Sequence, residues 1–508
     1  MKIVFQCRSF RFAPMILALI MALSCAKKRE PVPEQSIVAR IGDRIIREAE
    51  FIQRAEYTIR PGYCKHDNVI HKKIILNSLI AEKLLALEAG DTNALALNEN
   101  FRLFIRGQKE QLMRQLFLKE RIYRRIELDG QDIKRTFELA GRSYRVEYIA
   151  VAGEPASARV QKALFEDGLS FAELFEYHSA ADSIPEREIS WHSAGSGAVR
   201  QALYENDVEV GQVLGPVDAE GVNLFLHVLG WTERPALSSQ DIQNRMDDVR
   251  EHFRSKRAFE IYSAYIRELM DGVEVRFDRR AMEKLVNLLA PIYFDPQRRA
   301  ESEFRRRIYH RDSEDGIQID SLGAEFRRIE DVPLLTFGDE TWTVGDLQKQ
   351  IALHPLQFRA RKIAKPDFAQ QVKLAIVDLI ADDAITRQAY RDGYDSSPIV
   401  ETRARMWRDA YVAAFYRDSW LRRRGELERF KASPLPVIES SLNALVDSLQ
   451  LKYAGRIEIN TDLLEQIVLS RIDMFVIYES QPFRVVVPPF PTLTTDHALD
   501  YGRRLIAQ

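Results

Sequence analysis

The chain has 508 residues, 46% hydrophobic and 29% charged, enough for about three domains and too apolar for a disordered tail. Lys plus Arg number 73 and Asp plus Glu 75, a net charge of −2, which excludes the basic excess usual in nucleic-acid-binding proteins. With 23 Gly and 20 Pro, collagen-like and Pro-rich architectures are excluded. Only three cysteines occur, Cys7, Cys25 and Cys64, which excludes a disulfide-stapled scaffold and a Cys-based zinc module.

Lys2, Arg8 and Arg11 precede an uncharged run from Phe12 to Ser24. A basic flank before a short apolar run reads as a secretory signal. It falls short of the roughly 20 apolar residues of a spanning helix. The run ends Met21-Ala22-Leu23-Ser24-Cys25 and resembles the lipobox of bacterial lipoproteins, with Ala22 where Leu is usual. The resemblance implies acylation at Cys25 and a membrane attachment through lipid. Ala26 lacks the acidic character that retains some lipoproteins at the inner membrane, so the outer membrane is preferred. Ala26 to Gln35 is charged and Pro-containing, and reads as a tether.

Val38 to Phe51 (VARIGDRIIREAEF) reads as strand, Gly42-Asp43 turn, strand and helix start. Leu334 to Leu347 (LLTFGDETWTVGDL) repeats this without a gap, 296 residues on. Leu79 to Ala89 and Leu379 to Ala389 recur at an offset of 300, each with apolar residues at helical spacing and a Gly soon after, Gly90 and Gly393. Gln111 to Phe117 parallels Ala410 to Tyr416 at an offset of 299. The near-constant offset predicts one module present twice. A closing pair follows in each half: a helix from Ser239 to Met270 with Gly272 to Asp278 behind it, and a helix over 438–453 with Gly455 to Asn460 behind it.

Between Tyr144 and Glu233 the pattern reads strand, helix, helix, loop, strand. Tyr144 to Ala152 alternates, Ala156 to Glu166 and Phe171 to Tyr177 are helical, Gly211 to Val217 turns into a short strand, and Asn223 to Gly230 closes. Gly168-Leu-Ser-Phe171, Ser179, Gly211-x-x-x-Gly215-Pro216-Val217 and Gly221 resemble a parvulin-type peptidyl-prolyl isomerase domain. The flanking modules resemble the SurA and PrsA folding factors. The resemblance implies a small four-stranded domain over 144–233. It covers most of residues 36–290, with 330–470 as a second copy lacking the insertion.

Such a catalyst lowers the roughly 18–20 kcal/mol amide barrier without a nucleophile, by holding the proline and favouring the twisted amide. Parvulins usually present two histidines from their central strands. Here those positions fall on Tyr148 and Asn223. A Gly-rich loop of the family is replaced by Glu188 to Gly195. The domain is therefore expected to be weak or inactive as an isomerase, with a peptide pocket around Tyr148, Leu203, Asn223 and Phe225.

Other signals are blander. His178-Ser179 and His192-Ser193 lie in no nucleophile elbow, and the nine histidines show no HExxH-type spacing. No metal site, cofactor or nucleic-acid partner is expected. Gln297 to Arg307 is basic, but Asp312, Glu314 and Asp315 follow, which reads as a solvated helix face. Phe483 to Pro491 (FRVVVPPFP) reads either as an edge strand of this chain or as a strand added to a partner's sheet.

The expected fold is α+β: mostly helical, duplicated chaperone modules with an inserted parvulin-like β-α-β domain. The boundaries are signal peptide 1–25, tether 26–35, module 1 36–142, parvulin-like domain 143–234, closing helix and strand 235–290, charged linker 291–330, module 2 331–425, its closing helix and strand 426–470, and C-terminal extension 471–508. The expected function is an exported, lipid-anchored SurA/PrsA-like chaperone of the periplasm or cell envelope that binds unfolded or nascent exported polypeptides. An active isomerase and a non-catalytic scaffold lipoprotein of an envelope complex are the alternatives. Clients and oligomeric state are left open.

Overall fold

The computed structural model describes residues 37–178, 183–219, 222–295, 326–359, 363–469 and 487–505. The signal, Cys25, the tether, Ser179, Gly221, the basic run of 297–307 and residues 470–486 lie outside them. Among the described residues the fold is mixed α+β with three small sheets. The chain divides into two compact units, one holding 118–268 with 358–371 and the other holding the remainder.

In the larger unit both halves run through the same order of elements. Strands β1 (Ile37–Ile41) and β2 (Arg44–Arg47) form a hairpin, followed by helices α1 (Glu48–Glu56), α2 (Val69–Ala89) and α3 (Glu99–Arg121). Gly42 makes the turn at φ +60° and Gly90 ends α2 at φ +67°, conformations that cost L-residues with a Cβ more. Residues 130–269 form the inserted segment, with elements α4 to α8 and β3 to β6; beyond it come β7 (Val275–Phe277) and α9 (Arg279–Tyr293). The second half has β8 (Pro333–Phe337), β9 (Glu340–Thr343), α10 (Val344–Leu353), α11 (Phe368–Arg391) and α12 (Pro398–Arg423). Gly338 turns its hairpin at φ +52°, and Gly393 follows α11 at φ +72°. Beyond two short helices, Leu427–Ala432 and Pro434–Val437, come α13 (Asn443–Tyr453), β10 (Ile457–Ile459), α14 (Thr461–Gln466) and the two-residue β11 (Arg503–Arg504). The closing strands lead into capped helices in both halves: Asp278 accepts from the Ala281 amide, and Asn460 from the Leu463 amide.

The two halves exchange their closing elements. Residues 272–278, read from sequence as closing the first module, pair instead with the second hairpin: Val275 faces Phe337 and Phe277 faces Leu335. Residues 455–460 pair with the first hairpin, Ala39 facing Ile459 and Ile41 facing Ile457. The sheets are thus β11-β10-β1-β2 and β7-β8-β9. Helices are exchanged in the same sense. α12 of the second half lies along α2 of the first. α3 of the first half meets α10 and α11 of the second, Glu110 bonding His354 and Arg114 bonding Thr386.

Burial explains why α2 takes partners from elsewhere. Fourteen of its 21 residues are buried, including every position from Ile74 to Ala86, so the helix is covered on all sides. Leu76, Leu79, Ile80 and Leu84 share one core with Ala413 of α12, Val446 and Leu449 of α13, Ile457 and Ile459 of β10, and Phe490 and Leu493. The Pro-rich C-terminal segment is therefore neither an edge strand nor a free one over its described part. It threads through this core, with the Pro489 carbonyl accepting from Arg54 at 2.9 Å and the Asp496 and Ala498 carbonyls from Asn77 at 2.8 Å each.

Charges are buried where the halves meet. Arg54 grips Glu82 through two bonds of 3.0 and 2.6 Å. Lys83 Nζ lies 3.2 Å from Glu50, in ion-pair contact without hydrogen-bond alignment, and 3.6 Å from Asp409 of α12. Arg44 donates to Asp409 at 3.2 Å. Burial raises Glu50 above the usual carboxylate range. Burial also raises Glu82, but the Arg54 and Lys83 charges outweigh it and hold Glu82 low. At the offset of 299 that relates α3 to α12, Asp409 corresponds to Glu110 (one residue before the stretch compared above). Both acids are nearly sealed, at 1% and 3% exposure, and each joins one half to the other. Glu110 accepts from Arg106 and Tyr390 and bonds His354 at 2.8 Å.

Candidate functional site

The smaller unit carries the inserted domain. Helix α4 (Gly130–Leu139) leads into β3 (Arg142–Ala152), followed by α5 (Glu154–Phe165), α6 (Phe171–His178), β4 (Glu186–Ser190), α7 (Gly197–Tyr204), β5 (Val213–Ala219), β6 (Val222–Glu233) and the long helix α8 (Ser239–Leu269). β4 and α7 fall in and just beyond the stretch read from sequence as a loop. The four strands form one antiparallel sheet in the order β4-β3-β6-β5. The Gly215–Pro216 peptide is cis.

Side chains alternate across the sheet with period two, and this sorts the candidate residues. One face carries Tyr144, Val146, Leu226 and Val228 against Leu203 and Tyr204 of α7 and Val249 of α8, with Tyr148 partly buried at its margin. The other carries Ile149 and Phe225 against Phe171, Leu174 and Phe175 of α6 and Val160 of α5, with Val151 beside them. Asn223 pairs with Val151, two residues from Phe225, and so belongs to this second face.

The expected pocket of Tyr148, Leu203, Asn223 and Phe225 therefore does not form. Tyr148 and Leu203 lie on one face, Asn223 and Phe225 on the other. Leu203 and Phe225 are both 0% exposed, as packed core residues. Tyr148 pairs with Leu226, so Tyr148 and Asn223, the positions where the parvulin resemblance would place histidines, neither face each other nor share a surface.

A different pair stands in register between the same two strands. Glu147 is directly opposite His227, with its Oε2 2.8 Å from the imidazole Nδ1. The side chains are 20% and 26% exposed, and the Phe171 ring lies 5.3 Å from the imidazole. A carboxylate at Nδ1 favours the proton on that nitrogen and leaves Nε2 as the acceptor in the neutral ring. Such a pair can orient a hydrogen-bond donor or relay a proton. Sequence reading passed over it because only the strand register brings residues 147 and 227 together.

The α7 face is roofed by α8. Val249 is 0% exposed there. His252 and Lys256 both bond Glu205 at the end of α7, at 2.7 and 2.6 Å, and the Trp191 ring meets His252 edge-on at 5.3 Å. Burial would raise the Glu205 carboxyl, but these two partners outweigh it and hold it below the usual range. On the other side Tyr123 donates to Glu251, and Arg245 donates to the Arg234 carbonyl at 2.7 Å. Beneath lies an aromatic cluster in which Tyr204 touches both Tyr144 and Trp191 edge-on, and Tyr144 reaches Trp231.

His192 is exposed and 3.9 Å from Asp248, while the Ser193 hydroxyl bonds Ser190 at 3.0 Å; no nucleophilic arrangement joins them. Among the described residues no group of three His, Cys, Asp or Glu side chains gathers as for a metal ion, and no helix is long and apolar enough to cross a membrane. Comparison with protein-family models, curated proteins and solved structures finds no match.

Proposed function

We propose that the protein is an exported, lipid-anchored chaperone of the SurA/PrsA type, binding unfolded exported polypeptides, with a parvulin-like domain that offers a peptide-binding surface and little or no isomerase activity. The observation that carries this reading is the order hairpin, short helix, long helix, Gly, long helix, which occurs twice around an inserted four-stranded domain. Further support comes from the sealed positions of Leu203 and Phe225 and from Tyr148 and Asn223 on opposite faces, which leave no paired side chains at the family's histidine positions. The test is aggregation of an unfolded outer-membrane protein with and without the purified chain. Suppression is expected; no effect at molar excess would defeat the reading.

The half-buried Glu147–His227 pair favours one alternative, an isomerase using a carboxylate–imidazole pair. A proline-limited refolding assay separates the two. An unaltered slow phase is expected, whereas an acceleration abolished by His227→Ala would establish the enzyme.

A further inference from the structure

In one of the two hairpin sheets the closing strand is itself covered. β11 pairs in parallel with the outer edge of β10, Glu458 opposite Arg503 and Ile459 opposite Arg504, and the Leu505 amide donates to the Ile459 carbonyl at 2.8 Å. In the other sheet β7 takes the place of β10, and among the described residues no strand pairs with its outer edge. We propose that this edge of β7 is a strand-addition site for another polypeptide, taking an extended segment that runs parallel to it and carries two adjacent carboxylates. The site stands apart from the chaperone reading and does not depend on it.

Three observations carry it. First, the two closing strands correspond residue by residue. Val275 faces Phe337 as Ile457 faces Ile41, and Asp278 caps α9 as Asn460 caps α14. The Asp278 amide donates to the Leu334 carbonyl as the Asn460 amide donates to that of Val38. By alternation the main-chain groups of Phe277 then point away from β8, as those of Ile459 point towards β11. Second, the bare strand is less covered. Val275 and Phe277 are half-buried, whereas Ile457 and Ile459 are 0% and 2% exposed. Third, the charges beside the edge are reversed. Glu458 stands opposite Arg503, and Asp462 in the first turn of α14 accepts two bonds from Arg504, of 2.8 and 2.7 Å. The corresponding positions are Arg276 on β7 and Arg280 in the first turn of α9, both exposed. Arg276 reaches Glu274 at 2.6 Å, and Arg280 pairs with no acid among the described residues. An open edge offers unpaired N–H and C=O groups. Main-chain pairing supplies the affinity and flanking side chains the choice of partner, so the reversed charges select an acidic pair where β11 carries Arg503 and Arg504.

The test titrates the full chain with two fluorescein-labelled peptides: the sequence of residues 499–505, and the same sequence with Glu in place of Arg503 and Arg504. Opposite rather than like charges at two exposed cross-strand positions separate the affinities by about tenfold. The acidic peptide is expected to bind about tenfold tighter than the basic one and to slow hydrogen exchange at the Phe277 amide. The double variant Arg276→Glu with Arg280→Glu, changed only at exposed side chains, should reverse the preference. Equal affinities, a preference unmoved in the double variant, or protection that leaves out β7 would overturn the site. A further variant, Asp312→Asn with Glu314→Gln and Asp315→Asn, tests the acidic run of this chain as the occupant. Binding of the acidic peptide by that variant alone would overturn the assignment to a partner, and binding by neither protein would overturn the site altogether.

Discussion

Gly107 sits on α3 where that helix crosses the end of α10. A Cβ built on it would lie 1.9 Å from the Leu353 carbonyl oxygen and 2.8 Å from the Leu353 carbonyl carbon. These are backbone atoms, so no rotamer change relieves the clash, and the helices must separate by more than about 1 Å to restore an ordinary contact. Leu353 ends α10 and is followed by His354-Pro355. The His354 ring bonds Glu110, one turn beyond Gly107 on the same helix. Gly107→Ala should therefore strain both the backbone crossing and the buried acid–imidazole contact. Overpacking costs about 1–3 kcal/mol, and weakening a hydrogen bond to a charged group about 1.5–3 kcal/mol. Better helix propensity returns about 1 kcal/mol. The net loss is about 1.5–5 kcal/mol, read as a fall of about 0.8–2.5 M in the urea midpoint for a slope near 2 kcal/mol/M. Circular dichroism through a urea series measures it, and the double variant with Glu110→Gln should lose less than the sum of the singles. A Gly107→Ala protein as stable as the original, or about 1 kcal/mol more stable as at an exposed helical glycine, would refute the exchanged packing of α3 on α10.

The Glu110 carboxyl, although burial pushes it up, is held at about 2 by hydrogen bonds from His354 and Arg106 and by their charges. A depressed folded value means stability that is full above the unfolded value of 4.5 and lost as pH falls towards 2, a loss of about 3 kcal/mol; urea midpoints at pH 6, 4 and 2.5 should show the slope, and Glu110→Gln should flatten it. Arg54→Ala leaves Glu82 buried beside Lys83 alone and should cost about 3–5 kcal/mol, while Arg54→Met with Glu82→Leu should cost much less; equal losses in calorimetry would contradict a mutually dependent pair. A protease site placed between Asp295 and Phe326 and then cut should leave two fragments that migrate together on size exclusion until denaturant is added. Separation in native buffer would disprove the exchange of strands and helices between the halves.

Much of the architecture was legible locally. The Gly42 and Gly338 turns, the Gly90 and Gly393 helix ends and the alternation of β3 all show in short windows, because turn chemistry and side-chain period act over a few residues. The repeat was legible for the same reason, since it is a repeat of such windows. β4 escaped because Glu186 to Ser190 carries one buried side chain, Ile189, and is recruited by pairing with β3 rather than by its own pattern. α7 escaped because a short helix capped by Ser196 sits among turn-like residues.

What no window contains is the choice of partner. Residues 272–278 and 455–460 look alike as closing strands, and either would satisfy either hairpin's open edge. Only the assembled chain decides that each goes to the other half, where α2 can be enclosed by α12, α13 and the C-terminal segment. The candidate pocket failed in the same way. Tyr148 and Asn223 have suitable chemistry, but the face each occupies follows from register, and a shift of one residue reverses it. By itself the sequence determined most of the segments that become strands and helices, β4 and α7 aside, and that the set occurs twice, since those outcomes follow from nearby residues. The exchange between halves, the sealing of Leu203 and Phe225 and the meeting of Glu147 with His227 were decided by the tertiary structure, because burial and cross-strand pairing act between residues far apart in the chain.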